Sequence, residues 1–392
     1  MKKLIYLVLI LSIFFYCVPK QEKIERIIED GVEVVVNHLE PYQIKGEPST
    51  LILEEEFVID MESEKMAEIG MAHIPIFGVD CLGNIYCLSS KDEKGNLFYK
   101  FDNQGNFIHS FGREGQGPGE LQIPMFIRVN KQDEIVILDN RKKLSIFNTK
   151  GNLIREISIG SNHQIATLLE NGNILAMRSL IKADDGIIEL PIVLCNSDLE
   201  EIKVLVPGQK IVNFSRANKI NGLNISPNFF VWSISNGHIC VGNLEKGYEF
   251  SMYDTVGKLL RKIRKEYNPV KVPEELKEQV LKRFERPALE SIRKKIYFPD
   301  YFPPFQYYFM DERARLFVMT YEKGNNPREF LYDIFNPEGI FIGRTKLSNY
   351  GNFLLTQRKS PLYVVAKNNR LYCVREKESG YMELVVYKTK WE

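Results

Sequence analysis

Residues able to carry out chemistry occur along this chain without the spacing that familiar catalytic and metal sites require. There is no HExxH or paired CxxC motif for zinc, and no GxSxG turn for a nucleophilic serine. We therefore predict no catalytic residue and no resident cofactor, while a site for calcium or zinc built from distant segments stays open. The histidines are His38, His73, His109, His163 and His238.

Four acidic or amide residues are the remaining candidates for a metal site: Asp80, Asp139, Asn140 and Asp311. Each lies beside a turn in the sequence pattern. Asp and Asn at such positions commonly accept hydrogen bonds from the local backbone. The interpretation as turn residues is therefore favoured over a catalytic one.

The glycines of FGREGQGPGEL, from Gly112 to Gly119, could suggest a loop that holds phosphate through backbone amides. No Lys followed by Ser or Thr closes the motif, and an extended segment through Pro124 follows it. We interpret the glycines as part of a structural crossing. Arg113 projects from this crossing in the pattern and is a candidate binding residue.

The most unusual composition is YFPDYFPPFQYYF at residues 297–309, which follows the basic triplet 293–295. Rigid aromatic side chains offer a large contact area at low entropic cost, so they suit stacking against a sugar or gripping a peptide or protein. The alternative is that the rings hold a neighbouring insertion in place. The candidate binding residues are Tyr297, Phe298, Tyr301, Phe302 and Phe305.

A repeat indicates the fold that positions these residues. Five phrases share one pattern of turn and strand: FDNQGNFIHSF, FNTKGNLIREI, CNSDLEEIKVL, YDTVGKLLRKI and FNPEGIFIGRT. Another type of turn, exemplified by VDCLGNIYCL, recurs six times. Short antiparallel strands joined by such turns and repeated six times predict an all-β, six-bladed β-propeller.

The last repeat stops at the end of the chain and lacks its final strand. Residues 51–60, LILEEEFVID, alternate as a strand does and are expected to close the sixth blade, although they could instead pad the side of the ring. Residues 271–305, between the fourth and fifth blades, have helical spacing and form a predicted insertion. Pro287 should divide it into two helices.

The first residues resemble an export signal. Two lysines precede an apolar run from Leu4 to Tyr16, which is followed by Cys17. Cys17 is a candidate for lipidation, although cleavage nearby or an uncleaved anchor would also fit. The predicted domains are a signal at 1–17, a tether at 18–48 and the propeller at 49–392.

Composition limits the partners. The formal net charge is +1, which gives no general attraction to nucleic acid, so we expect none to bind. Cys87, Cys240 and Cys373 fall at equivalent places in three repeats and are expected to be buried core residues, one in each of three blades. A monomer is expected.

One stretch carries a family resemblance. FGREGQGPGELQIPMFIRVNKQDEIVILDNRKKLSIFNTKGNLIREI resembles an NHL-type propeller repeat through Phe111, Gly112, Gly115, Gly117, Gly119, Leu121, Pro124, Val136, Asp139, Ile146, Phe147 and Gly151. With the export signal and FPDYFPPF, the whole chain resembles six-bladed propeller lipoproteins of bacteria. The resemblance implies a location in the cell envelope, in the periplasm or as an outer-membrane lipoprotein.

These observations favour a binding function. The main hypothesis is an exported or envelope-anchored scaffold for a protein, peptide or saccharide ligand, attached to a membrane if Cys17 is lipidated. The alternative is a metal-dependent propeller enzyme of the lactonase or lyase type with its site at the central channel. We favour the scaffold over the enzyme.

Overall fold

In a computed structural model, the chain is described for residues 24–140, 142–181, 187–212, 223–224, 232–326, 329–348 and 364–392. Residues 1–23, which include Cys17, lie outside the described part. The first elements are strands β1 (Glu25–Glu29), β2 (Val32–Asn37) and β3 (Leu51–Asp60) and helix α1 (Glu64–Glu68).

The first two blades are regular four-stranded antiparallel sheets. Blade 1 contains β4 (Phe77–Val79), β5 (Ile85–Leu88), β6 (Asn96–Phe101) and β7 (Phe107–Arg113). Blade 2 contains β8 (Pro124–Val129), β9 (Ile135–Asp139), β10 (Lys143–Phe147) and β11 (Leu153–Ser158).

The next two blades carry additions. Blade 3 contains β12 (His163–Leu168), β13 (Ile174–Arg178), the short β14 (Leu180–Ile181), β15 (Ile187–Cys195) and β16 (Glu201–Val212). The two-residue β17 (Leu223–Asn224) follows it. Blade 4 contains β18 (Trp232–Ser235), β19 (His238–Gly242), β20 (Glu249–Asp254) and β21 (Leu259–Lys265).

The predicted helical insertion is present between blades 4 and 5. It contains α2 (Glu274–Lys282), a 3₁₀ turn (Pro287–Leu289) and α3 (Glu290–Arg293), so Pro287 does separate two helices. Pro273 caps α2, where its missing N–H costs no helical hydrogen bond. The insertion ends at β22 (Ile296–Tyr297), which pairs in parallel with β17.

Blade 5 contains β23 (Tyr307–Met310), β24 (Leu316–Lys323), β25 (Glu329–Phe335) and β26 (Phe341–Ser348). Blade 6 contains β27 (Val364–Lys367), β28 (Arg370–Glu376) and β29 (Met382–Trp391). Its fourth strand is β3, which pairs antiparallel with β29 from Glu383↔Asp60 to Trp391↔Leu51. The six-bladed propeller and the closing strand are confirmed.

The predicted tether is corrected by the structure, because residues 24–48 form a strap against the ring. Strand β2 adds in parallel to the outer strand of blade 4, and β1 pairs with β2. The chain then passes along blade 5, where the Tyr42 amide donates to the Phe341 carbonyl over 2.8 Å and Asn336 donates to Glu47 over 3.0 Å. It enters blade 6 as β3. One continuous segment therefore links three blades.

Hydrogen bonds join every pair of neighbouring blades. In ring order from blade 1 they are Cys81 N to Asp133, Arg128 to Leu168 O, Asn171 to Thr255 O, Met310 N to Ser233, Asn368 N to Glu312, and Lys367 to Val79 O, each 2.9–3.1 Å long. Apolar side chains fill the space between blades. Within the described ranges, no helix has the length and apolarity needed to cross a membrane.

Candidate functional site

The aromatic segment 297–309 divides into a buried part and an exposed part. Phe305 is fully buried, with its ring centroid 4.6 Å from that of Phe250 and 5.6 Å from that of Tyr248. It fills the core between blades 4 and 5. Although Phe305 was predicted as a binding residue, its burial makes it a packing residue, because no ligand can reach it without opening the core.

The preceding rings are more accessible. The exposed fractions of Tyr297 and Tyr301 are 51% and 46%, and Phe298 is half-buried. Phe302 stacks on Tyr321 of blade 5, with the centroids 4.1 Å apart and the rings 7° from parallel. This contact fixes the insertion to blade 5, as the structural alternative predicted, and the outer tyrosines remain available for contact.

A cleft lies beneath this segment at the boundary of blades 4 and 5, on the face where the chain passes between blades. It opens to solvent, and the free space inside it is about the size of one water molecule. Val270, Pro303 and Pro304, which flank the helical insertion, provide apolar walls, and Tyr267 adds an aromatic one. The polar lining residues are Asn268, Thr320, Glu322, Asp333 and Arg344.

A bulge in blade 5 contains three residues that line the cleft: Thr320, Tyr321 and Glu322. Met319 of β24 pairs with Tyr332 of β25, while Lys323 pairs with Phe330, so three residues on one strand lie opposite one on the other. The extra residues include Tyr321 and Glu322. Bulges commonly redirect side chains near functional sites. In the other five blades, the strand pairs that correspond to β24 and β25 show no such shift in register.

A buried network of charges forms the floor of the cleft. Asp333 is fully buried and accepts hydrogen bonds from Arg344 Nε at 2.7 Å and from the Tyr248 hydroxyl at 2.8 Å. Lys265 Nζ, also buried, lies 3.5 Å from the same carboxylate. Arg344 also donates to both oxygens of Glu322, over 3.0 and 3.1 Å. Two cations and two carboxylates thus balance each other.

Burial shifts the pKa values of Lys265 and Tyr248 in this network. Desolvation lowers the pKa of Lys265, and the nearby Asp333 carboxylate only partly opposes that effect. Desolvation raises the pKa of Tyr248 well above its ordinary value, and the charge of Asp333 adds to the increase. Tyr248 therefore remains a hydrogen-bond donor to Asp333 across the physiological pH range.

Tyr321 contributes a buried polar atom to the cleft lining. Its hydroxyl oxygen is buried and has no hydrogen-bond partner among the residues that the structure describes. A buried hydroxyl without a partner costs about 1–3 kcal/mol. Desolvation accordingly raises the pKa of Tyr321.

The other predicted candidates lie away from this cleft. Arg113 is exposed at the end of blade 1, across the ring from blade 4, and its carbonyl accepts the Leu121 amide in the crossing to blade 2. The structure therefore does not bring Arg113 together with the aromatic segment. Cys87, Cys240 and Cys373 are buried in the second strands of blades 1, 4 and 6, as predicted.

The four acidic and amide candidates make local contacts. Asp80 and Asp311 each accept two backbone amides of their own turns. Asp139 accepts the amides of Gln122 and Ile123, and thereby fixes the crossing between blades 1 and 2. The Asn140 amide donates to the Ile123 carbonyl. In the described part of the chain, no three His, Cys, Asp or Glu residues are grouped to hold a metal ion.

Sequence reasoning missed the cleft floor, although one signal was present. Asp333 lies two residues before the fifth repeated phrase, where the other four repeats have Tyr99, Ser145, Val193 and Ser251. A carboxylate at a buried position of one repeat marks a departure from the shared pattern. Comparing the repeats position by position would have found it, whereas nothing near Lys265 in the sequence identifies its partner.

Comparisons with known proteins agree with the fold. A family profile described as a 6-bladed beta-propeller matches residues 74–224, which contain blades 1 to 3. A solved structure from Bacteroides fragilis, named as that of an exported protein, is 13% identical in sequence. The match covers 91% of this chain and 99% of that one, with a TM-score of 0.52. A member of the duf4221 family from Bacteroides vulgatus is 14% identical over 88% of this chain and 100% of that one, with a TM-score of 0.47. No curated protein sequence matches the chain.

Proposed function

We propose that this protein is an exported binding scaffold that holds its ligand in the cleft between blades 4 and 5. The observation that carries this proposal is that the departures from the repeat meet at one place. The segments that flank the helical insertion, the bulge in blade 5 and the buried Asp333 all line the same cleft. Apolar walls with a few oriented polar groups are the usual composition of a ligand site.

The lining residues support binding through shape and hydrogen bonds. Pro303 and Pro304 are rigid, and Tyr321 is fixed by stacking on Phe302, so little side-chain freedom is lost on binding. The charge pairs hold Arg344 and Glu322 in defined positions at the edge.

A thermal-shift screen of small molecules against the purified protein tests this proposal. A ligand of the folded state raises the apparent melting temperature. Tyr267→Ala removes an aromatic wall of the cleft and should abolish the shift, whereas Tyr381→Ala, at an exposed tyrosine in a turn of blade 6, should preserve it. A shift that is equally large in both variants would place the ligand elsewhere and overturn the proposal.

We also propose that the protein is exported and attached to the bacterial envelope through a lipid on Cys17. The apolar run before Cys17 supports this proposal, as does the fold shared with a protein to which export is ascribed by name. The described strap begins at Ile24, and the seven residue steps from Cys17 to Ile24 span at most about 25 Å when extended. A lipid there would hold the outer edge of blade 4 close to the membrane.

Metabolic labelling with a fatty acid and membrane fractionation test the anchor. Cys17→Ser should remove both the label and membrane association, provided that the exported chain still accumulates. Cys81→Ser is the matched control, because Cys81 is an exposed cysteine in a turn of blade 1. Unchanged labelling in the Cys17→Ser variant would contradict lipidation at this residue.

A further inference from the structure

We infer that the helical insertion between blades 4 and 5 binds the surface of a membrane that contains anionic phospholipids. The contact segment is residues 282–301, in which exposed basic side chains lie beside exposed tyrosines. This inference rests on the proposed location in the envelope and adds a second attachment to it. It depends on three observations: the local charge, the exposed rings, and the position of the segment relative to the strap.

Positive charge is concentrated in the contact segment. Residues 282–295 include six basic and two acidic residues, although the formal net charge of the whole chain is only +1. The two acidic side chains are already paired within the insertion. Glu285 lies 3.5 Å from Arg293, and Glu290 lies 3.6 Å from Lys294. A partner of this segment should therefore carry negative charge.

Three basic side chains at the end of α2 have no counter-charge. Lys282, Arg283 and Arg286 are exposed, and none of them forms an ion pair with another residue in the described ranges. The contact between Arg293 and Glu285 brings this end of α2 next to the basic end of α3. A Lys or Arg beside an anionic lipid surface strengthens binding about fivefold, so the three cations together suit such a surface.

The rings of Tyr297 and Tyr301 favour a membrane over a purely ionic partner. Tyr297 follows the basic triplet 293–295 in the sequence, and Tyr301 forms a backbone bridge with the exposed Lys271. A tyrosine has an apolar ring and a polar hydroxyl, so it suits the boundary between lipid headgroups and acyl chains. A small anion would engage the cations and leave both rings in water.

The insertion also keeps apolar side chains near its surface. Helix α2 fully buries only Val280, and α3 fully buries none of its residues. Leu281, Phe284 and Ile292 are only half-buried. Shallow insertion into the headgroup layer would cover such side chains, so they add apolar contact beside the charges.

The strap begins at the same end of blade 4 as the insertion. Glu25 pairs with Val36, which pairs with Arg264, and the chain enters the insertion directly after β21. A lipid on Cys17, at most about 25 Å from Ile24, would bring this end of blade 4 to a membrane. Attachment at one point fixes no orientation, whereas a second contact through the insertion would hold the ring in one orientation.

Sedimentation with sucrose-loaded vesicles tests this inference. The full chain with Cys17→Ser, purified after export, is mixed with vesicles of phosphatidylcholine alone or of phosphatidylcholine and phosphatidylglycerol in equal parts. The substitution removes any contribution from a lipid on the protein. We expect about a hundredfold tighter binding to the anionic vesicles at low salt, and loss of this difference at high salt.

Two triple variants with the same change in net charge locate the contact. The first removes the three cations at the end of α2: Lys282→Gln, Arg283→Gln and Arg286→Gln. The control removes three exposed lysines of α1 and of turns in blades 1 and 2: Lys65→Gln, Lys94→Gln and Lys150→Gln. The first variant should bind anionic vesicles about a hundredfold more weakly, and the control should bind like the parent. Equal weakening would overturn the inference, because the net charge alone would explain the binding.

A double variant tests the rings. Tyr297→Ser combined with Tyr301→Ser should weaken binding to anionic vesicles about tenfold, because two partly apolar rings are lost from the contact. Tyr381→Ser, at an exposed tyrosine of blade 6, should leave binding unchanged. Unchanged binding of the double variant would contradict a membrane contact through the insertion and indicate a purely ionic partner.

The outcomes separate this inference from the proposed lipid anchor. Binding that is equal on neutral and anionic vesicles, or absent on both, would overturn the inference even where fatty-acid labelling confirms Cys17. Charge-dependent binding without labelling would support the contact and contradict the anchor. The thermal-shift screen tests the cleft independently of both.

Discussion

Asp333 and Arg344 lie directly opposite each other on adjacent strands of blade 5, with Arg344 Nε donating to Asp333 Oδ1 over 2.7 Å. The same carboxylate accepts the Tyr248 hydroxyl and faces the ammonium of Lys265, both from blade 4. Asp333 therefore lies between two cations from different blades. The stability of the blade boundary and the shape of the cleft depend on the same residue.

Replacing this carboxylate should be costly. Asp333→Asn keeps the shape but leaves Lys265 and Arg344 without their buried counter-charge, so we expect a loss of about 3–5 kcal/mol in the free energy of unfolding. Urea denaturation measures this loss. Glu322→Gln is the control, because Glu322 pairs with Arg344 at a partly solvated position and should cost less than about 1 kcal/mol. Equal losses in the free energy of unfolding for the two variants would show that the buried ion pair stabilises the protein no more than the partly solvated one.

The repeat made the propeller predictable because its turns are local. In the first repeat, Asp80 Oδ1 accepts the amides of Leu82 and Asn84, and Gly83 adopts a φ of +84°. Every group that defines this turn lies within five residues, so the sequence displays it. The cleft floor is different, because the Tyr248 hydroxyl and Asp333 are 85 residues apart and meet only after two blades pack.

The strap was missed although the sequence contained a signal for it. Asp30 and Gly31 form the turn between β1 and β2, with φ values of 51° and 77°. Asp-Gly between apolar runs is a strong indication of a two-residue hairpin. The sequence contains no comparable signal for the parallel pairing of β2 with β21. That pairing depends on an outer strand edge that exists only once blade 4 has folded.

Asn37 should be the main latch of the strap. Its buried side chain accepts the Phe341 amide over 2.7 Å and donates to the carbonyls of Gly339 and Arg264 over 2.9 and 3.2 Å. Asn37→Ala leaves these backbone groups without their partner, so we expect a loss of about 2–3 kcal/mol in the free energy of unfolding. Chemical denaturation measures it.

The matched control for the latch is Asn103→Ala. Asn103 donates to the Leu82 carbonyl at an exposed position, where water can replace the contact. Its substitution should change stability by less than about 0.5 kcal/mol. Limited proteolysis adds a local readout, because loosening of the strap should speed cleavage near residues 38–48 in Asn37→Ala alone. Equal cleavage in both variants would argue against a latch.

Buried tyrosines should make the protein sensitive to alkaline pH. Desolvation raises the pKa of Tyr248, Tyr308 and Tyr321 above the ordinary value near 10. The folded state then retains protons that the unfolded state releases. The stability from these groups is complete below pH 10 and falls above it, by up to about 1.4 kcal/mol per pH unit for each tyrosine.

Urea midpoints measured between pH 8 and pH 11 test this sensitivity. Tyr321→Phe removes one buried phenol whose hydroxyl has no hydrogen-bond partner within the described chain. The free energy of unfolding should therefore fall less steeply above pH 10, by the equivalent of about one released proton. Tyr381→Phe, at an exposed tyrosine, should leave the slope unchanged. A slope that Tyr321→Phe does not alter would contradict the assignment.

Ring closure by β3 should couple blades that do not touch. Ile59 of β3 is 2% exposed and packs between blades 6 and 1, so Ile59→Ala should cost about 2–5 kcal/mol. The fluorescence of the two tryptophans reports on the unfolding of different blades, since Trp232 is in blade 4 and Trp391 in blade 6. Because hydrogen bonds join every pair of neighbouring blades, urea unfolding should be cooperative. Ile59→Ala should lower the urea midpoint equally in two single-tryptophan backgrounds. In the Trp391→Phe protein the fluorescence of Trp232 reports on blade 4, and in the Trp232→Phe protein that of Trp391 reports on blade 6. A shift confined to the Trp391 signal would mean that blade 6 opens alone and that closure does not couple the ring.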